Sequence, residues 1–251
     1  MVTPQAVDIR RSTVDLVGPA QSFGLDAVSA GLSAYVARPV RDGPWPGVVM
    51  IHEVFGLTDV IRGLADHLAG RGFVVAAPDL YSAGGGLRCL VPTFRALSRG
   101  RGRAYTDIEA TRRWLLGLSE TTDGVGIIGF CLGGGFALAT AARGFDASAP
   151  CYGTLPPTPQ VLREACPIVG SYGARDAALA GATDKLERAL TAYGVPHDLK
   201  EYPDAGHRFM NDRDDLPAFT VPLQRIMGVG PNPEAAADAW GRIDSFFTTH
   251  L

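Results

Sequence analysis

The stretch Gly126-Ile127-Ile128-Gly129-Phe130-Cys131-Leu132-Gly133-Gly134-Gly135 constrains this chain more than any other. An apolar, β-branched run enters a turn of small residues, and an apolar helical pattern leaves it through Phe136, Leu138 and several alanines. The form is G-x-nucleophile-x-G, with cysteine where serine usually stands. Such a turn holds its central side chain on a sharp strand-to-helix bend, and glycines flank it because a Cβ there would clash. A chain built on this turn needs a strand before it, a helix after it, and other elements that carry partners to Cys131.

Those elements are legible in order. Ser12 to Val17 and Leu32 to Arg38 read as short strands separated by a turn region. Val48-Val49-Met50-Ile51 is a continuous apolar run, as in a strand buried on both faces of a parallel sheet, and ends abruptly in His52-Glu53-Val54-Phe55-Gly56. Thr58 or Asp59 caps a helix with Ile61, Leu64 and Leu68 at helical spacing, stopped by Gly70 to Gly72. Phe73 to Ala77 is the next strand. Residues 82 to 92 read as a loop with Gly84 to Gly86 at its tip, followed by a helical segment around Thr93 to Leu97. Thr106-Asp107-Ile108-Glu109 has the form of a capping box, and Asp123-Gly124 reads as the turn into the strand before Cys131. Beyond the central turn come strands near Ala147 to Tyr152, Pro167 to Tyr172 and His197 to Tyr202, and a helix from Thr183 to Tyr193. Asn232-Pro233 opens a terminal helix, with proline at its first position. Alternating strands and helices imply an α/β fold with a mostly parallel central sheet and helices on both faces. At 251 residues and 46% apolar content, residues 1–251 read as one domain without a separate lid.

Bulk properties narrow the function. A net charge of −3 gives no electrostatic footprint for nucleic acid or a membrane surface. Met1 to Arg10 lack an apolar signal core, and no run approaches a membrane span. Four cysteines in a chain of this length make no disulfide framework, and a working thiol fits a reducing compartment, so a cytoplasmic protein is expected.

Ligands and catalytic groups in such sheets lie beyond the carboxyl ends of strands. The polar residues at those places are Glu53, Asp79, Cys131, Asp176 and His207. Cys131, Asp176 and His207 stand in the order nucleophile, acid, histidine expected of an α/β-hydrolase fold. A thiolate attacks, an imidazole takes and returns the proton, and a carboxylate on the imidazole's far nitrogen fixes its tautomer. The backbone N–H groups of Leu132 and Val54 are the candidate oxyanion donors. Asp176 also fits a helix cap, in which case Asp79 or Asp204 would be next in line.

Glu53 in His-Glu-Val-Phe-Gly-Leu, Cys131 in Gly-Phe-Cys-Leu-Gly-Gly, Asp176 in Gly-Ala-Arg-Asp and His207 in Ala-Gly-His-Arg-Phe resemble the dienelactone hydrolase family over roughly residues 30 to 250. The resemblance implies a Cys131–His207–Asp176 catalytic unit with Glu53 as an auxiliary carboxylate. A carboxylate against sulfur disfavours a second negative charge and keeps the resting thiol protonated. Family members acting on dienelactone hold the substrate carboxylate with arginines, one of them four residues after the histidine; that position here is Asn211. Arg208 or Arg213 could substitute, and Arg95 or Arg99 could approach from the loop side.

Plainer readings stand beside these. Cys89, Cys151 and Cys166 lack the turn context and read as packing residues, and His52, His67, His197 and His250 read as surface-loop histidines. Gly124-Val125-Gly126-Ile127-Ile128-Gly129 spells G-x-G-x-x-G but runs into a strand instead of following one, and His52-Glu53 has glycine at position 56 where a zinc-protease pattern needs histidine. The cluster Arg88, Arg95, Arg99, Arg101 and Arg103 reads as a solvated face. The expectation is a cofactor- and metal-independent cysteine hydrolase acting on a small ester or lactone, without nucleic-acid or membrane partners, as a monomer or weak homodimer. The alternatives are a general carboxylesterase or thioesterase, and a non-catalytic binding protein of the same fold.

Overall fold

A computed structural model describes residues 7–212 and 228–251. By backbone proximity the chain divides into two compact units, Met1–Ile127 with Leu251 and Ile128–His250. The first unit runs β1 (Ile9–Asp15), α1 (Val17–Ser22), β2 (Ser33–Pro39), β3 (Trp45–Ile51), α2 (Asp59–Ala69), β4 (Val74–Pro78), α3 (Gly86–Arg99) and α4 (Arg103–Leu116). Strand β5 (Thr121–Phe130) follows and ends in the second unit. There the order is α5 (Leu132–Thr140), β6 (Ala147–Cys151), β7 (Ile168–Gly173), α6 (Ala182–Tyr193), β8 (His197–Tyr202) and α7 (Pro233–His250). The strands form an eight-stranded sheet in the order β1-β2-β4-β3-β5-β6-β7-β8. Strand β2 is antiparallel to both β1 and β4, whereas β3 pairs with β4, β6 with β7 and β7 with β8 in parallel.

The expected burial of the parallel strands is met residue by residue. Val48, Val49, Met50 and Ile51 of β3 and Val74 to Ala77 of β4 are fully buried, as uninterrupted apolar runs require when both sheet faces are covered. Thr58 caps α2 by accepting from the Ile61 N–H, and Val60, Ile61, Leu64 and Leu68 turn inward along one face. In the second unit Leu138, Ile168, Tyr172, Leu186 and Leu190 build a core in which α5 and α6 meet β7. Arg242 of α7 donates to the Asp198 carbonyl at 2.8 Å and pairs with the Asp198 carboxylate at 2.8 Å, fixing α7 to β8.

Four expectations are corrected. Strand β1 stops at Asp15, because the Asp15 carboxylate accepts the Val17 N–H at 2.8 Å and bends the chain into α1. Residues 86–92 are helical, not loop: Gly85 makes the turn and α3 begins at Gly86. The Thr106–Glu109 capping box does not cap, since α4 already begins at Arg103. Glu109 instead pairs with Arg112 and Arg113 one turn further on, and Asp107 is buried against Ser29. Asp123 and Gly124 lie within β5 instead of turning into it.

Candidate active site

Strand β5 delivers Cys131 onto a bend that only close backbone packing permits. A Cβ on Gly129 would fall 2.1 Å from the Gly133 carbonyl oxygen, so no other residue fits there. Cys131 itself takes φ 55°, a left-handed conformation costing on the order of 1–3 kcal/mol for a residue with a side chain. Its backbone is held by donation from the Cys131 N–H to the Cys151 carbonyl at 3.1 Å. The thiol is thereby lifted to partial exposure, in contrast to buried Cys151. Leu132 opens α5, so its N–H has no acceptor within the helix.

The loops after β7 and β8 bring the other two groups together. The Ala174 N–H donates to the Tyr202 carbonyl and the Arg175 N–H to the Ala205 carbonyl, both at 2.9 Å, which sets the Asp176 turn beside His207. Asp176 is fully buried, and its Oδ2 meets His207 Nδ1 at 2.5 Å while Oδ1 accepts the Ala178 N–H at 3.1 Å. Asp176 therefore caps the following turn with one oxygen while the other meets His207. Burial opposes a charge on His207, but hydrogen bonding to Asp176 and the nearby Cys131 sulfur outweigh it and push the imidazole up to about 10. The Cys131 sulfur lies near enough to His207 to favour the imidazolium.

Sequence reasoning places Tyr152 only at the end of a strand and assigns it no role in the site. It is buried at the end of β6 with φ 40°, and its ring lies 5.1 Å from that of His207 and 5.6 Å from that of Phe209. The Asn211 amide, with its oxygen toward the guanidinium, accepts from Arg208 at 2.8 and 3.0 Å and donates to the Tyr152 hydroxyl at 3.2 Å. Arg208 is buried, with φ 63°, and Asn211 occupies the position of the family arginine. The only available signal was Tyr152's position at a strand's carboxyl end, shared with Cys131 and Asp176.

In the first unit, Glu53 is buried just past β3. The turn carrying it is braced: His52 accepts the Leu80 N–H at 3.2 Å, the Tyr81 hydroxyl donates to the Val54 carbonyl at 3.0 Å, and the His52 and Tyr81 rings meet edge-on at 4.8 Å. Burial lowers the His52 pKa, as a neutral structural imidazole requires. Arg95 is exposed on α3, and Arg213 lies outside the described residues. Burial pushes the Cys166 thiol up to about 12 and the Cys151 thiol higher, in keeping with packing roles. Among the described residues no helix is long and apolar enough to cross a membrane.

This strand order and strand-to-helix turn define an α/β-hydrolase. Solved structures with the same fold include a dienelactone hydrolase-like promiscuous phosphotriesterase from metagenomic libraries, with TM-score 0.77 and 22% identity over 96% of this chain and 98% of that one. An α/β hydrolase from a deep-sea metagenome matches with TM-score 0.68 and 11% identity, covering 97% of this chain and 98% of its own. A carboxymethylenebutenolidase of Rhodococcus opacus is 30% identical over 234 residues, 86% of each chain. A Synechocystis sp. protein provisionally given the same name is 32% identical over 243 residues, 88% of this chain and 92% of its own. The model of the dienelactone hydrolase family matches residues 32–251. The chain belongs to the dienelactone hydrolase family, and it is a carboxylic ester hydrolase.

Proposed function

We propose that this protein hydrolyses a small ester or lactone through Cys131, His207 and Asp176. The observation carrying the proposal is the buried 2.5 Å contact of Asp176 with His207, whose imidazole is also raised by the Cys131 sulfur at the tip of the turn. Cys131 and His207 share one proton: held on sulfur at rest, it passes to His207 Nε2, where the raised proton affinity beside the sulfur keeps it, as the sulfur forms a bond to the carbonyl carbon and the π pair moves onto oxygen. The Leu132 N–H receives that oxyanion, with the Val54 N–H as the second donor of the family pattern. The tetrahedral adduct collapses by breaking the C–O bond, and the departing alkoxide takes the proton from His207. His207 then removes a proton from water, which attacks the thioester; the acid leaves and Cys131 recovers its proton. In a lactone the leaving oxygen stays tethered, so one ring-opened product results. Asp176 holds Nδ1–H and so presents Nε2 to the sulfur.

Glu53 enters this proposal from the family pattern, as the carboxylate that keeps the resting thiol protonated. The name of the Rhodococcus opacus relative points to a butenolide bearing a carboxymethylene group as the substrate class. Asn211 at the family arginine's position favours a second reading, a general carboxylesterase or thioesterase without preference for a substrate carboxylate. Comparing kcat/KM on a carboxylate-bearing lactone with that on a neutral ester separates the two, and a ratio near unity selects the second. The proposal treats residues 1–251 as one catalytic domain acting in the cytoplasm as a monomer or weak homodimer, with no cofactor and with Arg95, Arg208 and Arg213 as the candidates for substrate contact. The decisive test is Cys131→Ala: turnover of a small aryl ester is lost, together with the acyl adduct seen by intact-mass measurement in the parent protein. Undiminished turnover in that variant would refute the mechanism.

A further inference from the structure

A cavity of about 440 Å³ lies wholly within the first unit, and none of Cys131, Asp176 or His207 lines it. Its lining includes Arg88, Arg95, Arg99, Arg101 and Arg103 and no aspartate or glutamate. The helix period explains the first three: residues 88, 95 and 99 are separated by seven and four positions and share one face of α3. The turn after α3 brings the other two. Gly100 at φ 64° and Gly102 at φ 131° reverse the chain, and a Cβ on Gly102 would approach that of Ala96 to 3.1 Å, so the turn folds tightly over α3. Arg101 and Arg103 are thereby returned to the cavity that the α3 arginines already line. Its buried lining is largely apolar, with Leu80, Ala96 and Ala104, and includes Ser29, which Asp107 fixes from behind at 2.6 and 2.7 Å.

Read as a linear cluster, these arginines make a solvated face, and two observations weigh against that reading. Several arginines elsewhere meet carboxylates, although among the described residues Arg10, Arg41 and Arg188 show no such pair: Arg112 and Arg113 both reach Glu109, Arg62 reaches Asp59, and Arg11 reaches Asp66. Among the described residues, none of the five cavity arginines forms such an ion pair. The second observation is concavity. All five arginines are exposed, but the fold gathers them around one concave volume that falls in the range of small-molecule sites, roughly 300–1,000 Å³.

We propose that this cavity is a second binding site, taking a small organic anion with an apolar body, a carboxylate or a phosphate monoester. The guanidinium groups receive the anionic head, for which their planar fork is suited, and Leu80, Ala96 and Ala104 cover the body. The site shares Arg95 with the substrate contacts proposed above, so binding that survives alkylation of Cys131 is what separates a second site from the substrate site. Calorimetric titration of the full-length protein with phenyl phosphate, benzoate and phenol tests it. Phenyl phosphate is expected to bind saturably at one site, benzoate more weakly and phenol not at all, with affinity falling as salt is raised. Arg95→Gln with Arg99→Gln is expected to weaken phenyl phosphate about tenfold or more, since two charge-assisted contacts are lost. Should that pair fail to fold, as judged by melting temperature, Arg88→Gln with Arg101→Gln removes charge from both walls instead. Alkylating Cys131 is expected to leave binding unchanged. Absence of saturable binding, equal binding of phenol, indifference to the arginine changes, or loss of binding on alkylation would each overturn the assignment.

Discussion

Asp176 in the second unit and Asp107 in the first are both carboxylates with no exposed surface, and they do opposite things with that burial. Asp176 meets an imidazole, so its negative charge is carried outward as a raised proton affinity on His207. Asp107 meets the hydroxyl and N–H of Ser29, groups that do not titrate, and the strain of burial stays on Asp107 itself. Burial raises the Asp107 carboxyl to about 6, against the opposing pull of Ser29 and Arg103. A buried carboxylate passes its charge on as proton affinity when its partner can take a proton, and acts as a brace when its partner cannot.

The sharpest way to break this contrast is to neutralise each carboxylate. Asp176→Asn is expected to lower kcat on the order of 10⁴-fold, because the amide can favour the wrong imidazole tautomer; steady-state kinetics on an aryl ester check this. Asp107→Asn is expected to leave kcat within about twofold and to act on stability instead. A carboxyl whose folded pKa is raised to about 6 stabilises the fold below its unfolded value and loses that contribution as pH rises. Between about pH 4 and pH 7 the stability difference should therefore move by about 2 kcal/mol in favour of the asparagine variant, measured by urea denaturation. His207 has the same sign in a different window. Its contribution is fully present below the ordinary histidine value and lost as pH rises toward about 10, so the stability advantage of the parent over His207→Gln should shrink across that interval. The smallest effect concerns the sulfur. In Cys131→Ala the His207 pKa, followed by NMR, should fall by about one unit or more, since burial then opposes Asp176 alone.

The two carboxylates also differ in how well the sequence announced them. Asp176 and His207 are legible because each follows a strand at the edge where α/β folds place their polar groups. Thr106 to Glu109 has the capping-box pattern, but α4 begins three residues earlier at Arg103. A cap depends on where the preceding chain turns, and Gly102 settled that. Tyr152 and the Arg208–Asn211 pair were invisible for a related reason: their contacts join loops after β6 and β8, and no local spacing encodes such a meeting. The arginine cluster was visible, but its concavity was not.

What the sequence determined alone is whatever depends on neighbours along the chain. The bend at Cys131 follows from its glycines, the cap of α2 from Thr58, the start of α7 from Pro233, and the buried strands from their unbroken apolar runs. Tertiary structure decided which distant groups meet. Residues 31 apart form the Asp176–His207 contact and residues 78 apart form the Ser29–Asp107 brace. The same side chain, a carboxylate buried without exposure, becomes an activator or a brace according to the partner that packing sets against it.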